Sequence, residues 1–223
     1  MSETPNYSTE QQEALAAANL GGLKKKLNAA SWSDHMEDLM KSWGEKAAGL
    51  RWMHGQAAGA WKKTSDRLTI TSIVLTTLSS AAAFGGAGME DNEMLMYILG
   101  GVGLISSLIQ SIKKFYQAEE KNADHAAIAK QFGSFYRLMT LELGMGREDR
   151  RPADELSAWA AKEYDRMQQD APPLGGAVIN SFLKKFGDTQ SIPDIAESKF
   201  NIKVTGRDDV PKPVDVELIK IDD

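Results

Sequence analysis

The chain has no cysteine. Disulfides, thiolate nucleophiles and cysteine-ligated zinc are therefore excluded. Histidine is nearly as scarce, with 3 residues in 223. No dense acidic cluster accompanies them, so a histidine metal site lacks ligands. Phosphate-binding glycine loops, nucleophile–base motifs and paired-carboxylate signatures are also missing. Neither an enzyme nor a cofactor is expected. The net charge is −5, and no basic patch is dense enough to suggest a nucleic-acid partner. The first residues, MSETPNYSTEQQEAL, lack the apolar segment of a signal peptide. The length suits one domain, or one domain with a tail.

The most informative lack is of charge. None occurs from Leu68 to Met89, and none from Met94 to Ile112. The mean hydropathy of −0.36 is polar, so the apolar residues are concentrated in these two runs. Each run, at about 1.5 Å of rise per helical residue, matches a hydrocarbon core of roughly 30 Å. The expectation is a transmembrane helical hairpin with spans at 68–88 and 94–112 and Glu90, Asp91 and Glu93 at its tip. Lys62, Lys63, Arg67, Lys113 and Lys114 flank it on one side. The positive-inside rule then puts both termini on the cytoplasmic or interior side.

The remaining elements follow in order. Residues 1–32 read as a polar segment and a short helix capped at Ser8 or Thr9, ending at Gly21-Gly22. Ser31 or Ser33 opens a long helix with a seam at Met36, Met40, Trp43, Ala47, Leu50, His54, Ala57 and Trp61. The spacing alternates four and three, as in a coiled coil. A second seam follows the hairpin: Ala118, Asn122, His125, Ala129, Phe132, Tyr136, Met139 and Leu143. Gly144 and Gly146 end it. Pro152 suits the start of another helix, and Ala171-Pro172-Pro173 ends that one. Residues 33–173 thus form a two-transmembrane helical domain. Residues 174–186 make an amphipathic helix that lies either on a membrane interface or on the bundle. In 187–223, Phe200, Ile202 and Val204, then Val214, Val216 and Leu218, alternate as in strands. The expected fold is an all-α membrane protein with a cytoplasmic antiparallel helical stalk and a short β-prone tail.

Two sets of residues are candidates for function. Ser72, Thr76 and Ser80, with Gly103, Ser107 and Ser111, recur every four residues. They read as small-residue packing, or as a polar stripe lining a pore in an oligomer. The second set is the stalk seam of Trp43, His54, Trp61, His125, Phe132 and Tyr136. In an antiparallel stalk, facing residues have numbers adding to about 180, which brings His54 to His125. Two readings stay open there. The pair is either hydrogen-bonded core, or a device whose double protonation near pH 6 pushes the arms apart. The Arg147–Arg151 stretch reads as a solvated turn.

Residues 40–173 resemble the SLATT superfamily of two-transmembrane effector domains. The resemblance rests on Trp52, His54 and Trp61 before TITSIVLTTLSS, on Tyr116, His125, Ala129 and Tyr136 after the hairpin, and on Trp159, Tyr164 and Ala171-Pro172-Pro173. It implies an oligomeric pore-forming or membrane-disrupting effector linked to nucleotide-signal defence. The alternative is a structural membrane protein of a larger assembly such as a virus particle, anchored by the hairpin and docked through its tail. Lipid and further copies are the expected partners.

Overall fold

A computed structural model describes residues 9–86, 93–188 and 191–197. Helix α1 spans Thr9–Ser31, α2 Asp34–Gly86, α3 Glu93–Tyr116, α4 Ala118–Gly144, α5 Ala153–Asp170 and α6 Gly176–Phe186, followed by a 3₁₀ turn at Asp194–Ala196. No strand occurs among the described residues. The strand expectations at 200–204 and 214–218, and the acidic tip at 90–91, lie outside them.

The spine is α2, 53 residues long and therefore about 80 Å from end to end. Ser33 caps it: its Oγ accepts the Met36 N–H at 3.2 Å and its carbonyl accepts the Glu37 N–H at 3.0 Å. Asp34 and Glu37 in the first turn favour the positive end of the helix dipole. Helices α3 and α4 run back along α2 in sequence. Gly44 lets α4 come close, because a Cβ there would stand 3.2 Å from that of Met139. Helix α5 packs against α4 and α2, and α6 lies on α2. The core sits in the stalk, with Met40, Met53, Phe132, Met139, Leu156 and Met167 sealed from solvent. Phe182 of α6 and Ala196 belong to the same core, so α6 covers the bundle.

The membrane expectation is overturned. Among the described residues no helix is long and apolar enough to cross a membrane. The span expected at 68–88 runs past the described residues, which stop there at Gly86. Half of the positions from Leu68 to Ala81 carry hydroxyls: Thr69, Thr71, Ser72, Thr76, Thr77, Ser79 and Ser80. In α3, Gly100, Gly101, Gly103, Ser106, Ser107 and Gln110 dilute the apolar residues. The transmembrane fold class falls, and with it the placement of the termini, which rested on membrane-spanning segments. What stands is a helical stalk with an α2–α3 arm.

Two boundaries also differ. Helix α1 passes through Gly21-Gly22 to Ser31. The glycines cost roughly 1 kcal/mol each in a helix. The far end is held all the same: Asn28 Nδ2 donates to the Arg150 carbonyl at 3.1 Å, and Ser31 Oγ accepts the Ala153 N–H at 3.1 Å.

The second difference is a break between α3 and α4 at Gln117, which has φ 47° and ψ 41°. This left-handed conformation costs a residue with a Cβ about 1–2 kcal/mol and glycine almost nothing. Gln117→Gly should therefore raise the unfolding free energy by about 1 kcal/mol despite glycine's looser unfolded chain. Urea denaturation checks this, and a loss of stability would mean that the Gln117 side chain holds the joint.

Candidate functional site

The two histidines meet. Nδ1 of His54 lies 2.9 Å from Nδ1 of His125, and the ring centroids are 5.2 Å apart. Their numbers add to 179, close to the register that an uninterrupted stalk requires. A bond between two Nδ1 atoms needs one ring to donate and the other to accept, hence opposite tautomers. Both rings are almost completely buried. Phe132 stacks on His54 at 5.9 Å.

Burial, then the neighbouring His125, pushes His54 down to about 4. Burial also lowers His125, against the opposing pull of Asp124. Burial thus disfavours the charged form of both rings, and the pair is a hydrogen-bonded element of the core. The reading in which both protonate near pH 6 meets the cost of burying two charges together.

The other seam residues divide. Trp43 stacks on Tyr164 of α5 at 6.3 Å, not on Tyr136. Trp61 is half-buried under Lys121, whose Nζ stands 4.6 Å from the ring centroid. Phe132 is fully buried. Tyr136 is 37% exposed, and Phe135 takes the inward position, stacked on Trp159 at 5.8 Å. Helix α4 faces both α2 and α5, so its buried stripe is wider than one heptad seam.

The small-residue stripe does not form the arm's interface. Thr76, Ser80, Gly103, Ser107 and Ser111 are exposed, and only Ser72 is half-buried. The hydroxyls of Thr76, Ser80 and Ser111 bond back to carbonyls four residues earlier, at 2.8, 2.9 and 2.9 Å. Less exposed positions are Leu68, Ser72, Leu75 and Ser79 on α2, and Leu99, Val102, Ser106, Ile109 and Lys113 on α3. These keep the four-three spacing of the stalk. Continuing the first seam's alternation beyond Trp61 reaches 64, 68, 71, 75 and 78, so it finds Leu68 and Leu75 but misses Ser72 and Ser79 by one residue. Among the basic flanks, Lys62 pairs with Asp66 at 2.8 Å. Lys63 and Arg67 are exposed. Lys113 and Lys114 line an open cavity of about 620 Å³ with Gln110 and Gln117.

The Arg147–Arg151 turn is a clamp rather than a solvated loop. Arg147 donates to both oxygens of Glu37 at 2.8 Å and also meets Asp34. Arg150 meets Glu37 as well, and its guanidinium closes the end of α4 through the carbonyls of Met145 and Leu143 at 2.9 and 3.0 Å. Arg151 binds Glu142 at 2.6 Å. The Trp32 indole donates to the Arg151 carbonyl at 3.0 Å. Hydrogen bonds from Arg147, then Arg150, hold the Glu37 carboxyl down to about 2. The partners are more than a hundred residues apart in sequence, and no local spacing marks them.

The arm's outer faces remain. Ile70, Ile73, Val74 and Leu78 of α2, and Tyr97, Ile98, Leu104, Ile105 and Leu108 of α3, are each more than half exposed. On each helix they fall within an arc of roughly 140° at 3.6 residues per turn, and so line one face of each.

No family model, curated protein or solved structure matches this chain. The resemblance to the SLATT superfamily therefore rests on the residues quoted for it.

Proposed function

We propose that this chain works by assembly rather than by catalysis: copies associate through the outer apolar faces of the α2–α3 arm, and the stalk holds each arm rigid. The observation that carries this reading is the row of exposed Ile, Leu, Val and Tyr side chains on both helices. Exposed apolar patches on monomeric proteins rarely exceed a few hundred Å², and larger ones mark interaction sites. The faces carry no charge from Leu68 to Ala81 or from Tyr97 to Ile112, so two identical faces meet without like-charge repulsion. A two-fold contact between two helical pairs closes a four-helix bundle. Burying these side chains is worth on the order of 10 kcal/mol before association costs. The pore-forming reading is not carried further, because among the described residues no helix is long and apolar enough to cross a membrane. Service in a larger assembly is kept only as association through the arm, without the hairpin anchor.

Light scattering on the purified full chain tests this. The wild type should be a dimer or a higher oligomer at micromolar concentration. The double variant Leu78→Lys, Leu104→Lys should be monomeric with unchanged helical circular dichroism. A monomeric wild type would overturn the proposal, as would a variant that keeps the same oligomer. A wild type that stays monomeric but floats with liposomes would identify lipid as the occupant instead.

A further inference from the structure

A groove runs along the side of the stalk where α6 crosses α2. Its volume is about 470 Å³, within the range of small-ligand sites. Gly49 makes it possible: a Cβ there would stand 2.7 Å from Cγ of Pro193 and 3.1 Å from Cζ of Phe182. Without one, α6 and the 191–196 segment close onto α2. Trp52, Phe182 and Phe186 wall one side, with Trp52 5.9 and 5.4 Å from the two phenyl rings. Tyr136 of α4, turned out of the seam, also lines the groove.

Among the described residues that line the groove, the one carboxylate is on Glu45. Ser191 Oγ donates to its Oε2 at 2.5 Å. Lys41 stands 4.0 Å from Oε1, at the outer limit of an ion pair, and both side chains are well exposed, so that contact contributes little. The aromatic rings nearby already hold one ammonium: Lys185 Nζ lies 5.5 Å from the Trp52 centroid and 5.1 Å from that of Phe186.

We propose that this groove binds a small aromatic amine, its ring against Trp52, Tyr136 and Phe182 and its ammonium on Glu45. The rings supply stacking area and cation–π attraction. The carboxylate supplies a charge-assisted hydrogen bond and sets the sign of the ligand. A neutral ring would leave the Glu45 carboxylate with only its Ser191 hydrogen bond and the long Lys41 contact. An anionic ring would meet repulsion. The proposal does not depend on self-association through the arm, which lies further along α2.

The test is NMR titration of the full chain with tryptamine, indole and indole-3-acetate, followed at the Gly49 amide and the Trp52 indole N–H. Tryptamine should saturate both signals, indole should bind about tenfold or more weakly, and indole-3-acetate should not bind. Glu45→Gln should bring tryptamine to the level of indole, with the wild-type amide spectrum elsewhere preserved. Ala48→Leu, which fills the groove from its floor, should abolish binding of both. If Glu45→Gln perturbs the fold, the ranking of the three probes on the wild type decides alone. No shift with millimolar tryptamine, equal binding of tryptamine and indole, or tryptamine binding that survives Ala48→Leu would each overturn the proposal.

Discussion

Lowering the pH from 7 to 4 should remove about 3 kcal/mol of folding stability through His54 alone. Burial holds this imidazole down to about 4, against an ordinary 6.5. In the unfolded chain it takes up a proton as the pH falls through 6.5, whereas in the fold it does so only near 4. Between these values the unfolded state binds more protons, so stability falls with pH. It is fully present above pH 6.5 and the loss is complete below 4. His125, also lowered, adds a loss of the same sign.

Glu37 contributes in a separate window. Its carboxyl is held to about 2 against an ordinary 4.5, so the stability that it gives is present above 4.5 and lost as the pH falls toward 2. Urea denaturation at half-unit steps from pH 7 to 4 should show the histidine slope, and the variant His54→Gln, His125→Gln should flatten it. An unchanged slope in that variant would mean that other groups set the acid response.

Phe132→Ala should cost about 3–5 kcal/mol, the usual loss when a buried phenyl leaves a cavity. Domains of this size carry about 5–15 kcal/mol in all, so much of the stability goes. The ring is fully buried. It stacks on His54 and meets the edge of Tyr164 at 6.1 Å, so it joins α2, α4 and α5. Collapse around the hole would also disturb the histidine bond. Calorimetric or urea unfolding checks the loss. Phe132→Leu, which keeps most of the volume, should cost well under half as much. A cost below about 1 kcal/mol for the alanine variant would show that the seam does not hold the three helices together.

Sequence by itself determined the helices and their order. Ser33, Pro152 and Ala171-Pro172-Pro173 mark boundaries because capping and proline chemistry are local. The four-three spacing determined an antiparallel stalk, and the charge-free runs located its arm. Counting nearly equal numbers of residues outward from Leu68 and Ile112 then brought His54 to His125, and the break at Gln117 did not undo that register.

Tertiary structure decided the rest, because the forces involved act between residues far apart in the chain. The Glu37–Arg147–Arg150 clamp spans more than a hundred residues, and no local pattern encodes it. Whether Phe135 or Tyr136 turns inward depended on α5 packing beside α2, which widens the buried stripe of α4. The aromatic groove exists only where α6 lands on Gly49. For the arm, no helix among the described residues is long and apolar enough to cross a membrane, and the serines, threonines and glycines that interrupt its apolar residues were already legible in the sequence.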